Sequence, residues 1–290
     1  MAKLSTKQAN KARHILLFGP PKSGKTQLAG EIASDYDVVD FDFENGSDTL
    51  QKLPMEFKER VEVISIPDTR GNPIGITTAL HAIKGNPGSI CDAHGLWNCP
   101  KCKVSGASVV QVNLGVADLS KAYIFDSLTQ LTNSAIAHIT KGQPDDYKLT
   151  YDDWGNLGKL LDTFLSYVQQ CPNHIIVISH ETEVEMEDGK MKLVPTAGTR
   201  NFSRNTAKYF DEVIYCEVKN KKHIAASSTG YSNSILTGSR GGFTLETSGS
   251  ASLVPILKGE IVVANPLTQN TPGHAAAGNL AEKLAAMRNK

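Results

Sequence analysis

Apolar runs and amphipathic stretches alternate along most of the chain. Residues 14–18 (HILLF) read as a short buried strand, and 27–34 as the helix after it. Residues 37–44 alternate with period two. Val39, Phe41 and Phe43 share one face, and Asp40, Asp42 and Glu44 share the other. The turn Asn45-Gly46 follows. Residues 61–66 are a further β-rich run, and 74–84 a helix. Residues 121–126 predict a strand, 128–139 and 154–170 two helices around a polar loop at 141–153, and 174–180 an apolar strand. Beyond His180 the texture changes. Residues 183–186 and 191–194 flank Asp188-Gly189, a hairpin signal, and 213–218, 223–226 and 234–236 read as strands. Residues 246–274 are rich in Ser, Gly, Pro, Asn and Thr and read partly as linker; 275–287 form an alanine-rich helix.

Strands alternating with helices predict an α/β fold. Its sheet is doubly wound and mainly parallel, with antiparallel strands toward the C-terminus. The expected organisation is a flexible basic N-terminus at 1–13, a core at 14–245, and a linker with a C-terminal helix at 246–290. Residues 85–115 break the pattern with Gly, Cys and small residues, and read as an insert within the core.

Composition narrows the function. Thirty basic and thirty acidic residues cancel, so no global field draws the protein onto nucleic acid or membrane, and any polyanion site must be a local patch. Residues 1–13 carry no apolar signal core, and no apolar run reaches the length of a membrane span. The expectation is a cytoplasmic protein with no membrane partner.

Gly19-Pro20-Pro21-Lys22-Ser23-Gly24-Lys25-Thr26 fits G-x-x-x-x-G-K-[ST] and lies between an expected strand and helix. Accident produces this pattern in roughly one chain of this length in a hundred. Backbone N–H groups of the loop and of the helix start, Gln27 included, would face the phosphates of ATP. Lys25 would meet the β- and γ-phosphates, and the Thr26 hydroxyl would bind Mg²⁺. A second carboxylate must hold Mg²⁺ through its water shell, and Asp126, closing an apolar strand, supplies it. Hydrolysis also needs a group to activate water. Glu44 is the first candidate, with Asp42 the alternative. His180, ending the next apolar strand, is placed to sense the γ-phosphate; a structural histidine is the competing reading.

The run Asp40-x-Asp42-x-Glu44-Asn45-Gly46 after a phosphate-loop helix resembles the Glu-bearing strand of RecA-like recombination ATPases. Ile178-Ser179-His180 resembles the polar sensor at the end of their next core strand. With its compact length and β-rich tail, the chain looks most like the phage-encoded RecA-like ATPases that promote single-strand annealing, over about residues 13–240. The resemblance implies a RecA-like P-loop NTPase fold and DNA-stimulated ATP hydrolysis in recombination, annealing or repair. It implies single-stranded DNA as substrate, a homo-oligomer with ATP at the subunit interface, a single-strand-binding protein as partner, and the host cytoplasm as location. It also implies DNA contacts from the loops at about 141–156 and 183–208. The first holds Asp145, Asp146, Asp152 and Asp153, which repel phosphate. The second holds Arg200, Arg204 and Lys208, whose spacing puts them on one helix face, with Phe202 among them for base stacking. An arginine finger reaching a neighbour's γ-phosphate, or a solvated basic face, are the alternatives. Lys219, Lys221, Lys222 and Arg240 extend the patch.

The insert carries Cys91-x2-His94-x4-Cys99-x2-Cys102, two close pairs that suit tetrahedral Zn²⁺ in a closed, structural knuckle. The segment has too few apolar residues to fold unaided, so metal binding would supply its folding energy. A redox pair at Cys99 and Cys102 is the alternative. Cys171 and Cys216 stand alone and read as buried small hydrophobes. Other functions compete with the DNA reading: an AAA-type ATPase that remodels or loads protein partners, and a zinc-lid small-molecule kinase; a non-enzymatic module with a degenerate nucleotide site is opposed by intact Lys25, Thr26 and Asp126. The first predicts a helical lid after the core, and the second an Arg-rich lid.

Overall fold

The computed structural model describes residues 11–106, 108–227, 232–243, 246–248 and 251–260. The expected helix at 275–287 lies outside these residues, as do residues 1–10. In chain order the first half holds β1 (His14–Gly19), α1 (Lys25–Gly30), β2 (Asp37–Asp42), α2 (Met55–Lys58), β3 (Val61–Ser65) and α3 (Gly75–Ile83). The insert follows as β4 (Gly88–Cys91), α4 (Pro100–Ser105) and β5 (Val109–Val112). The core resumes with β6 (Lys121–Asp126), α5 (Leu128–Ile139), α6 (Tyr151–Gln170), β7 (His174–Glu185) and β8 (Met191–Pro195). Then come α7 (Arg200–Asn205), β9 (Glu212–Lys219), β10 (Lys222–Ala226), β11 (Gly238–Ser239), β12 (Glu246–Ser248) and α8 (Val254–Lys258).

The main sheet runs β12-β10-β9-β1-β7-β6-β2-β3. From β9 to β3 every neighbouring pair is parallel, whereas β10 and β12 add antiparallel to the β9 edge. The sheet is therefore mixed and mainly parallel. The apolar strands alternate between two buried layers. Leu16, Phe18, Tyr123, Phe125, Ile175 and Val177 face the layer under α3, α5 and α6. Ile15, Leu17, Ala122, Ile124, Ile176 and Ile178 face the layer under α1 and α8. Burial on both faces is why these strands are continuously apolar. Parallel pairing puts the C-terminal ends of β1, β6 and β2 level with His180 of β7 at one crest, where open α/β sheets bind ligands.

Several boundaries differ from expectation for identifiable reasons. The first helix turns into a 3₁₀ segment at Glu31–Ser34. Helix α6 starts before 154 because Thr150 caps it. The Thr150 hydroxyl accepts from the Asp153 amide, and the Asp153 carboxylate accepts from the Thr150 amide. Strand β7 runs unbroken through 180 into the β7–β8 hairpin. The strand expected at 234–236 is only a bridge from Ile235 to Leu193. Residues 254–258, expected within a linker stretch, form α8, with the N-cap Leu253 and Val254, Ile256 and Leu257 buried. Of the N-terminal lead-in, residues 11–13 are docked: Ala12 is buried, Lys11 pairs with Asp211, and Arg13 lies over Phe243. Among the described residues, no helix is long and apolar enough to cross a membrane.

Candidate active site

The glycine loop leaves β1 at Gly19, whose φ is +150°. A Cβ there would sit 2.0 Å from the Cys216 carbonyl oxygen, so only glycine lets β1 lie against β9 at this point. Lys22 and Gly24 also take positive φ, curling the chain so that α1 begins at Lys25. The Lys25 ammonium is buried and donates to Gly19 O at 3.0 Å, Pro20 O at 2.8 Å and the Ser23 hydroxyl at 3.4 Å. Burial lowers its pKa, against the opposing pull of Cys216, Asp126 and Glu44. The ammonium thus rests on loop oxygens at the place a phosphate would occupy.

Two residues of adjacent elements meet below it. The Thr26 hydroxyl donates to Asp126 Oδ2 at 2.6 Å. Burial pushes Asp126 up to about 6; the Thr26 hydrogen bond works against this, while the charges of Glu44 and Asp42 add to it. The half-buried Thr26 hydroxyl and the buried Asp126 carboxylate in contact form a donor set that fits Mg²⁺. The ion would be held by Thr26 and, through water, by Asp126.

Glu44 lies just past β2. Its carboxylate accepts from the Ser127 hydroxyl and lies 3.4 Å from His180 Nε2. Burial alone would raise this carboxyl. The hydrogen bonds from His180 and Ser127 outweigh it and hold Glu44 below the usual carboxylate range. Glu44 is therefore ionised and aimed, as a base must be. Asp42 does different work. Its carboxylate accepts the amides of Glu44, Gly46 and Ser47, each at 3.0 Å, and so builds the loop on which Glu44 stands. Asp40, deeper on the same face, is fully buried. Burial first, then the charges of Asp126 and Asp42, raise its pKa well above the ordinary value.

The loop residues Pro21, Lys22, Ser23, Gly24, Lys25, Thr26 and Gln27 open onto one cavity of about 620 Å³ with Glu44, Asp126 and His180. The sequence reading missed two members of this site. Ser127, the N-cap of α5, is one of them. His223 comes from the distant β9–β10 turn, and its Nδ1 lies 3.0 Å from Ser23 O. A smaller pocket lined by Leu28, Ile224, Ala225 and Ala251 adjoins the cavity through Ser23, Gly24, Gln27 and His223.

The basic residues of the second loop are not one stripe. Helix α7 ends at Asn205 and a 3₁₀ turn follows, so Lys208 leaves the face that i, i+4, i+8 spacing assumes. Arg200 is exposed. The Arg204 guanidinium donates to Glu185 O at the end of β7. Lys208 lies over the Tyr209 ring, and Arg240 donates to Lys208 O. Lys219, Lys221 and Lys222 instead form an exposed basic tip on the β9–β10 hairpin.

In the insert, the ligand atoms of Cys91, His94, Cys99 and Cys102 all lie within 4.8 Å of one another. His94 Nδ1 is 3.7, 3.7 and 3.2 Å from the sulfurs of Cys91, Cys99 and Cys102. The cysteines are unbridged.

A family model described as an AAA domain (AAA_24) matches residues 11–248. No curated protein matches the chain. Similar solved structures include an ATPase from the type III secretion system of pathogenic bacteria. It is 14% identical, with a TM-score of 0.39, over 71% of this chain and 52% of that one. The flagellar accessory protein FlaH from Methanocaldococcus jannaschii is 11% identical, with a TM-score of 0.38, over 75% and 78%. EscN from the enteropathogenic E. coli type III secretion system is 17% identical, with a TM-score of 0.35, over 71% and 43%. The chain spans about half the length of the first of these. With the family model covering most of its length, this chain belongs to the AAA domain family and is an AAA-like P-loop ATPase domain.

Proposed function

We propose that this protein is a Mg²⁺-dependent ATPase of RecA-like type that acts on single-stranded DNA in recombination, annealing or repair. The observation that carries the hydrolytic part is Glu44, held between Ser127 and His180 and sharing one cavity with the phosphate loop. Gly19 to Gln27 bind the triphosphate, and the small apolar pocket beside Leu28 takes the base. Lys25 leaves its loop oxygens for the β- and γ-phosphates. Thr26 and Asp126 hold Mg²⁺, which neutralises the developing phosphate charge. Glu44 orients the attacking water and accepts its proton, and His180 reports the γ-phosphate.

Strand β7 supports the link to DNA. It runs without a break from His180 to Glu185, where Arg204 of α7 is attached. A polyanion bound at Arg200 and the hairpin can thus act on His180 through one rigid strand. The lysine tip at Lys219, Lys221 and Lys222 precedes His223, which lines the cavity, and offers a second phosphate contact. Arg200, free of the described network, is the residue for a neighbouring copy's nucleotide if the oligomer places ATP at its interface. The Cys₃His cluster holds one zinc ion as the core of the insert.

The test is ATP turnover by the purified chain with and without a single-stranded oligonucleotide. Stimulation, weakening with salt as counterion release requires, supports the reading. Turnover indifferent to the oligonucleotide at low salt favours a protein-remodelling ATPase.

A further inference from the structure

We propose that the zinc knuckle positions the hydrolytic carboxylate: held by its metal, it clamps residues 66–68, and this clamp fixes Glu44. The inference rests on the zinc and Glu44 readings above.

The metal site is built for tetrahedral coordination. Zinc bonds of about 2.3 Å to sulfur and about 2.0–2.1 Å to nitrogen put the nitrogen about 3.6 Å from each sulfur. The His94 distances of 3.2–3.7 Å bracket that value. Around the ligands the three cysteines, with Leu96 packed against them, form a small cluster of their own, while Ile90 and Val112 of the insert pack into the main core. So little apolar area leaves the metal as the main source of its rigidity.

What the knuckle touches is specific. Gly95, at φ +61°, lies flat on the end of β3. A Cβ there would fall 2.8 Å from Ile66 Cα and 2.9 Å from Pro67 Cδ. The Thr78 hydroxyl of α3 donates to Gly95 O at 3.0 Å and pins the same loop from the other side.

Residues 66–68 lead to Glu44 by two routes. In the first, the Ile66 amide donates to Asp42 O at 2.9 Å, and the Asp42 carboxylate holds the amides of Glu44, Gly46 and Ser47. In the second, Asp68 accepts from Gln130 Nε2 at 3.4 Å. The Gln130 amide donates to the Ser127 hydroxyl at 3.2 Å, and that hydroxyl donates to Glu44. One route fixes the Glu44 peptide and the other its carboxylate. Loosening residues 66–68 displaces the base while leaving Gly19–Thr26 and Asp126 in place.

The experiment compares wild type with His94→Cys, His94→Ala, Gly95→Ala and Thr78→Val for zinc by elemental analysis, ATP affinity, and kcat and KM for ATP. Displacement of a reacting group by about 1 Å costs up to about 10²-fold. Wild type is expected to hold one zinc, and His94→Cys, which offers four sulfurs, is expected to retain it. His94→Ala is expected to lose zinc, with kcat down about 10- to 100-fold and KM within about twofold. Gly95→Ala and Thr78→Val keep all four ligands. They are expected to retain zinc yet lose kcat in the same sense, so the inference does not depend on a zinc-free variant folding. Zinc-bearing Gly95→Ala and Thr78→Val proteins with wild-type kcat overturn the inference, as does wild type without zinc. Wild type that carries zinc but hydrolyses no ATP overturns the role of Glu44 itself.

Discussion

The site turns on neighbouring residues of the same type doing different work. Lys25 is buried against carbonyl oxygens at the seat of the phosphates. Lys25→Ala removes the charge that meets them, and ATP binding measured by calorimetry is expected to be lost. Asp42 and Glu44 are two positions apart on one strand end, yet only Glu44 faces both Ser127 and His180. Asp42 is consumed by three backbone amides. Asp42→Asn turns one acceptor oxygen into a donor facing an N–H, and is expected to destabilise the fold by about 1–3 kcal/mol in chemical denaturation. The motif residues were legible because each sits at a fixed offset from a glycine or a strand end. Glu44 was ranked first from its place at the strand end, but the work of Asp42 was not legible, because a hydrogen bond to a backbone amide leaves no mark on sequence spacing. Nor was the burial of Asp40. Period two suggested a polar face, but that face is buried at Asp40, and both Asp40 oxygens are without a partner among the described residues.

At the scale of elements, local chemistry and packing can be tested apart. Thr150 and Asp153 cap α6, and neither lines the nucleotide cavity. Thr150→Ala is expected to cost about 1 kcal/mol, lowering Tm by about 2–4 °C with ATP turnover unchanged. Helix α8 has the reverse character. Its composition reads as linker, yet Ile256 and Leu257 are buried beneath the sheet face that carries Ile15 and Leu17. Ile256→Ala is expected to cost about 2–5 kcal/mol, the range for an aliphatic side chain removed from a packed core. Five residues flanked by Ser and Gly are too few to show a helical period, which is why α8 escaped the sequence. The same limit broke the expected basic stripe. The spacing of Arg200, Arg204 and Lys208 assumes a continuing α-helix, and α7 stops at Asn205.

For the whole molecule, zero net charge hides strongly displaced carboxyls. Glu212 on β9 accepts from the Gly241 amide, yet burial pushes it up to about 7, with the Asp211 charge adding to the effect and Ser239, Gly241 and Arg13 opposing it. A carboxyl raised in the folded state is protonated there while the unfolded chain ionises near 4.3. Its contribution is therefore full below about pH 4 and is lost as pH rises toward about 7. Glu212→Gln keeps an acceptor for Gly241 and removes this titration. Relative to wild type it is expected to gain on the order of 2–3 kcal/mol at pH 8 and almost nothing at pH 4, read from denaturation curves at both values. A difference that is the same at both pH values would contradict the burial argument.

The central claim is that Glu44 makes this AAA-like P-loop domain a working ATPase. It is tested by measuring ATP affinity and steady-state hydrolysis of wild type and Glu44→Gln side by side at saturating Mg²⁺. The substitution keeps the size and the contacts to Ser127 and His180 but removes the base. The expected result is ATP affinity within a few-fold of wild type and hydrolysis slower by about 10²-fold or more. Near-wild-type hydrolysis by Glu44→Gln, above all if Asp42→Asn is the crippling change, would contradict the account.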